Sequence, residues 1–203
     1  MIFKKDKKMT KTKRIAISLI ASSIMMIFFV ACSKAHEGQR LNKSNAHMRD
    51  SYRFKASLSQ PTGGGEYNGI IVKGYIGNDN SPNFECEHEL AASVDAASHK
   101  DVKWVNDKED INFDGIPDLQ IFLWFTAVGQ VANSYTAYVW TPQGYFEEVK
   151  EWKELVNPQV QADSKTVAAN YRSDANERTF ETYKWKNGRL QLIKKERKKL
   201  LEE

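Results

Sequence analysis

The nine residues Asp110-Ile-Asn-Phe-Asp-Gly-Ile-Pro-Asp118 carry oxygen-bearing side chains at loop positions 1, 3, 5 and 9, which are Asp110, Asn112, Asp114 and Asp118. Hard cations take such a donor set, and the carbonyl of Ile116 at position 7 can add one more oxygen. Gly115 at position 6 supplies the backbone freedom a tight loop needs to reverse. Three carboxylates this close repel one another unless a cation or solvent offsets them. A helix-loop-helix site would place a bidentate Glu at position 12, where this chain has Ile121. The residues after Asp118, Leu-Gln-Ile-Phe-Leu-Trp-Phe, alternate as a strand does. The pattern predicts a Ca2+-binding loop entering a sheet, with Asp110, Asn112, Asp114, Ile116 and Asp118 as ligands. A solvated Asp/Asn/Gly turn is the alternative.

Nothing else in the chain assembles a catalytic pattern. His88 and His99 have no metal-ligand spacing to another His, and no Gly-x-Ser-x-Gly elbow or His-Glu-x-x-His helix is present. Nothing fixes Glu87 and Glu89 at a glycosidase separation. The reading is therefore a non-enzyme. A metal-dependent hydrolase would have to use Asp110, Asp114 and Asp118 a second time, with His88 or His99 as acid or base. Cys32 and Cys86 are the two cysteines, so a disulfide scaffold is ruled out. Cys86 lies between Glu85 and Glu87, whose charges disfavour a thiolate, and it reads as a structural thiol.

Residues 1–31 read as a lipoprotein signal peptide. Seven basic residues between Lys4 and Arg14 precede an apolar stretch from Ile15 to Ala31, shorter than a comfortable membrane span. Phe29-Val-Ala-Cys32 resembles a bacterial lipobox, with Phe29 in place of the usual Leu, which implies a diacylglycerol on Cys32. Met9 is an alternative start. Residues 32–50 are polar and unpatterned and read as the lipidated Cys followed by a flexible tether. No aspartate follows Cys32, which by analogy with lipoprotein sorting places the protein at the outer membrane, facing the periplasm. The leader also explains the charge. The full chain has 30 basic and 26 acidic residues, a net of +4; residues 1–32 hold seven basic and one acidic, leaving 23 against 25, a net of −2. The composition therefore gives no support for a nucleic-acid partner.

The remaining chain, 51–193, is long enough for one domain with a single core. Alternation predicts strands at Tyr52–Leu58, Tyr67–Ile76, Asp118–Phe125 and Tyr135–Trp140, the last closing a hairpin through Thr141-Pro-Gln-Gly144. Glu87–Ala97 is ambiguous between strand and short helix. A second hairpin runs Thr179–Trp185, turns at Lys186-Asn-Gly188 and returns through Leu190–Ile193, the Asn-Gly pair favouring a tight left-handed turn. Glu148–Leu155 reads as a short helix stopped by Asn157-Pro158. The fold class is mainly β: antiparallel hairpins and a meander forming one compact sheet-rich or propeller-like domain, with at most one or two short helices. Residues 194–203 read as a charged tail that frays.

Phe113-Asp-Gly-Ile-Pro-Asp-Leu119, Tyr135–Trp140, Gly144-Tyr-Phe146, Leu155-Val-Asn-Pro158 and Tyr183-Lys-Trp-Lys-Asn-Gly-Arg-Leu190 together resemble a family of small periplasmic lipoproteins. These are related to immunity proteins that neutralise lysozyme-type peptidoglycan hydrolases. The resemblance covers about residues 102–193. It implies a mainly β fold, calcium in the acidic loop, and inhibition through exposed loops, for which Gly129–Ser134 is the candidate. The expected function is an envelope lipoprotein with a calcium-stabilised β domain that binds and inhibits a peptidoglycan hydrolase. The alternative is a lipoprotein that binds cell wall, glycan or a partner protein without inhibiting.

Overall fold

The computed structural model describes residues 46–97, 99–127 and 131–200. The chain divides into two units, Met1–Ser44 and Asn45–Glu203. The first holds the predicted signal peptide, Cys32 and most of the tether, all outside the described residues. Among its described residues the second carries eleven strands: β1 (Tyr52–Gly63), β2 (Glu66–Ile76), β3 (Phe84–Asp95), β4 (Val105–Asn106), β5 (Leu119–Ala127), β6 (Val131–Trp140), β7 (Phe146–Glu148), β8 (Gln159–Gln161), β9 (Thr166–Arg172), β10 (Glu177–Lys186) and β11 (Arg189–Lys199). They form three sheets, ordered β1-β2-β3, β4-β5-β6-β7 and β11-β10-β9-β8, in which every pairing is antiparallel. One 3-10 helix, Lys150–Glu154, joins β7 to β8.

Alternating apolar residues give the sheet β4-β5-β6-β7 two buried faces. On one, Leu119, Ile121 and Leu123 of β5 meet Ile70 and Val72 of β2 and Leu90 and Val94 of β3. On the other, Ala137 of β6 packs with Val167 and Ala169 of β9, Leu190 of β11, and Trp152 of the 3-10 helix. Each such aliphatic side chain contributes about 1.5–3 kcal/mol by leaving water. A third cluster gathers Tyr52, Ile116 and Trp140. The tight turn at Asn187-Gly188 forms as its sequence demands, with φ of 52° and 73°.

Three segments differ from the sequence expectation, and a fourth is decided between its two alternatives. Residues 46–50 are a helical turn rather than tether, because Arg49 is buried against the domain. Lys194–Lys199 do not leave the sheet; they are the second half of β11, paired residue by residue with Glu177–Thr182 of β10. Glu87–Asp95, open between strand and helix in the sequence, belongs to strand β3 lying along β2, and Ala96 and Ala97 form the turn after it. Strands β8 and β9 have no counterpart among the elements predicted from sequence: β8 has three residues, and the alternation of Val167, Ala169 and Tyr171 in β9 is broken by small side chains.

Candidate functional site

The acidic loop is fastened at two points to two different cores. Ile111 is fully buried in the cluster between the second and third sheets, and Ile116 is buried with Tyr52 and Trp140. Between them the backbone must fold back, which it does with positive φ at Phe113 (64°) and Gly115 (90°). Glycine carries such a torsion without strain; Phe113 does not. The loop mouth is closed by a backbone bond from Asp118 N–H to the carbonyl of Glu109 at 2.8 Å. The indole of Trp185, on β10, donates to the Ile111 carbonyl and ties the loop to the third sheet.

The four oxygen-bearing side chains divide sharply. Asp118 is 1% exposed. Its Oδ1 accepts from Trp140 N–H at 2.8 Å, and its Oδ2 accepts from Ile111 and Asn112 N–H at 2.8 and 3.3 Å. Burial pushes its carboxyl up to about 7; the N–H groups of Trp140 and Ile111 oppose that rise, and the charges of Asp114 and Asp110 add to it. Asp110, Asn112 and Asp114 lie on the outer side. Asp110 accepts from the N–H groups of Asp114 and Gly115, Asp114 from Ile116 N–H, and the Asn112 amide is 3.0 Å from Asp114 Oδ2. Burial, with the Asp110 charge adding, holds the Asp114 carboxyl above the ordinary range, against hydrogen bonds from Ile116 and Asn112.

As a cation site, the donors are chemically right for calcium: two outer carboxylates, an amide oxygen and the Ile116 carbonyl are all hard oxygen ligands. The carboxylates alone do not make a site. Among the described residues no three His, Cys, Asp or Glu side chains gather as a metal-holding group. The geometry needs Asn112 to present its oxygen, and it gives Asp118 mainly to the backbone.

Sequence reasoning missed Arg49. It is 2% exposed, and its guanidinium donates to the carbonyls of Pro117 (2.7 Å), Asp107 (2.7 Å) and Asp118 (2.8 Å). Phe54 and Phe146 lie at 5.5 and 5.3 Å from the cation. Burial lowers its pKa, with Asp107 and Asp118 opposing, yet an arginine stays charged. A single Arg in a polar stretch has no periodicity to announce it.

The other expected residues stay apart. His88 bonds Tyr138 and His99 bonds the Asp95 carbonyl, so neither reaches the loop. Cys86 is a free thiol packed at the margin of the first core. Of the candidate inhibitory stretch, Gly129 and Gln130 lie outside the described residues, whereas Val131–Ser134 begin β6. Beside that stretch is an aromatic row. Trp104, Phe122 and Tyr135 sit next to one another, with ring centroids 6.1 and 5.3 Å apart, and Trp124 leans on the first two. The bulge between Phe122 and Phe125 turns Trp124 that way, at φ 86°. Tyr135 also borders a cavity of about 480 Å³ lined by Asn133, Asn157, Gln159, Asn170 and Arg178. Asn157 braces it, accepting from Asn133 N–H at 2.8 Å and donating to the Asn170 carbonyl at 3.0 Å.

No family profile and no curated protein matches the chain. Among solved structures, a Xanthomonas type IV secretion system related protein is similar, with 16% identity and a TM-score of 0.49, over 73% of this chain and 78% of that one. The fold and the loop together define a mainly β, antiparallel domain organised around an acidic turn.

Proposed function

We propose that the protein is an envelope lipoprotein, anchored through Cys32 at the outer membrane and facing the periplasm. Its β domain is stabilised by Ca2+ and binds and inhibits a peptidoglycan hydrolase. The observation that carries this reading is the position of the acidic loop. Its two isoleucines enter two cores and Trp140, Trp185 and Arg49 bond to its backbone or to Asp118, so a cation on Asp110, Asn112 and Asp114 would brace the whole domain. The row Trp104–Phe122–Tyr135 beside the start of β6 supplies partly exposed aromatic anchors of the kind that dominate protein interfaces.

The direct test adds the purified protein to a lysozyme-type muramidase digesting peptidoglycan, with calcium and with EDTA. Slowed digestion in calcium that Tyr135→Ala relieves supports the reading. An unchanged rate at large molar excess rejects it. The second reading, a glycan-binding lipoprotein, is favoured by the amide-lined cavity at Asn133, Gln159 and Asn170; retention on isolated peptidoglycan without inhibition would select it. For the anchor, mass spectrometry should find the mature chain starting at a lipidated Cys32, and an intact leader would exclude it.

A further inference from the structure

The hairpin of β10 and β11 concentrates positive charge that neither reading uses. Residues 184–199 contain eight Lys or Arg and one acidic residue, Glu196, a net of +7. From Ser33 onward the chain has 23 basic and 25 acidic residues, so everything outside this segment holds 15 against 24, a net of −9. Such asymmetry within one domain points to a charged partner.

The pairing register puts five of these eight cations on one face and Lys195, Arg197 and Lys199 on the other. Arg172, Arg178 and Lys198 stand directly opposite one another across β9, β10 and β11. Strand alternation adds Lys184 and, opposite Lys186, Arg189. The irregularity at Thr182/Tyr183 leaves Ile193 as the extra residue and brings Lys194 onto the same face. The reverse face is buried at Val167, Ala169 and Leu190, and open along β11 at Leu192, Lys195, Arg197 and Lys199. Phe180 lies in the middle of the basic face, 37% exposed, with Lys198 Nζ 5.2 Å from its ring centre, and Ile193, the extra residue next to Lys194, is 45% exposed. The nearest carboxylate, Glu196, pairs with Lys194 at 3.0 Å in an open position that solvent and ions can exchange.

Folding uses Arg172, which donates to the carbonyls of Asp174 and Ala175, and Arg178, which donates to Asn170, but like charges directly opposite one another in a sheet are destabilising. Lysines along an edge strand guard it against pairing with other chains. That purpose does not call for cations on β10, an inner strand, nor for Phe180 and Ile193 left in water. We propose that this face docks on an anionic phospholipid bilayer, the cations meeting the headgroup phosphates and Phe180 and Ile193 entering the interface. Spread cations around a few apolar side chains are the pattern of membrane-surface binding. Lysine is depleted at the centre of protein interfaces, and a nucleic acid would not ask for an exposed isoleucine.

The test uses residues 45–203, which contain every described strand and all three buried clusters and lack Cys32, so the result is independent of the lipid anchor. Vesicle co-sedimentation should show binding to vesicles containing phosphatidylglycerol, none to phosphatidylcholine alone, and release as salt rises from about 0.1 to 0.5 M. Each cation removed should weaken partition roughly fivefold, so Lys194→Glu with Lys198→Glu should abolish detectable binding while the thermal melt persists. Lys100→Glu, on a loop outside the hairpin, should change it little. Equal binding to both vesicle types, or an equal loss in Lys100→Glu, overturns the proposal. So does tighter binding to duplex DNA or to an acidic protein than to the anionic vesicles at matched salt.

Discussion

Asp118 and Asp114 lie four residues apart in one loop and carry the same side chain, but the fold gives them opposite surroundings. Asp118 is buried with both oxygens accepting backbone N–H groups from β6 and from the loop itself. Asp114 stays at the outer side, bonded to Ile116 N–H and near the Asn112 amide. A carboxylate serves as an internal acceptor when the backbone around it has donors left unpaired, as at a loop entering a sheet. Its neighbours then remain available for a cation. Motif position says which residues bear oxygen; burial says which of them holds the chain and which can hold an ion.

The largest effect should come from the inner member. Asp118→Ala leaves the N–H groups of Trp140 and Ile111 buried without acceptors, which costs about 3–5 kcal/mol. Urea denaturation should show that loss with or without calcium, and a change below about 1 kcal/mol would break the distinction. Arg49→Ala should fall in the same range, since it strips the carbonyls of Pro117, Asp107 and Asp118 of a buried donor.

The outer member should matter only when the ion is present. At free calcium one hundred times the dissociation constant, binding to the native state adds about 2.7 kcal/mol. Asp114→Ala should remove most of that gain and change the EDTA-treated protein little, while Lys100→Ala keeps it. Calorimetry with and without EDTA reads both. Identical melts and no heat of calcium binding for the wild-type chain would make the outer cluster a solvated turn.

This contrast also marks how far the sequence could be read. The spacing of Asp110, Asn112, Asp114 and Asp118 is local, and so is the alternation of Leu119, Ile121 and Leu123 that puts β5 against the first core. The donors to Asp118 are not local: Trp140 lies on the neighbouring strand, and nothing near it in sequence marks its N–H as the partner of a carboxylate. Arg49 is similarly a long-range contact from a polar stretch. The end of β11 was illegible for another reason. Lys194–Lys199 have no apolar periodicity, and the strand persists because β10 supplies a ladder on one side.

A third buried-edge carboxylate, Glu181, extends the comparison to pH. It is 8% exposed, with Lys195 at 2.7 Å and the Tyr183 hydroxyl at 2.7 Å. Burial pushes its carboxyl up, but hydrogen bonds from Lys195 and Tyr183 and the Lys195 charge outweigh this, and its net shift is below the ordinary value of 4.5. A depressed carboxylate contributes stability that is present above the unfolded value and lost as pH falls through the folded one. Glu181→Gln should therefore be less stable than wild type at neutral pH, and the difference should shrink below about pH 4.5. A gap that is constant from pH 7 to 3 would assign the effect to packing.

Cys86 tests whether burial outweighs neighbouring charge, as it does at Asp118, and here no stability change is needed to see it. The sequence suggests that Glu85 and Glu87 suppress the thiolate. In the fold, burial is the main cause, raising the thiol to about 11; hydrogen bonds with Tyr138 and Val72 work against it, and Glu148 and Glu85 add a minor rise. The ordinary value is 9.0, so the thiolate at pH 8 should be roughly a hundredfold scarcer than in a free cysteine. Alkylation of residues 45–203 by iodoacetamide should be slower by at least that factor. Glu85→Gln with Glu87→Gln should speed it only slightly, whereas unfolding in urea should restore the full rate. A large acceleration from the double substitution in the folded protein would return control to the local charges and separate Cys86 from Asp118 in kind.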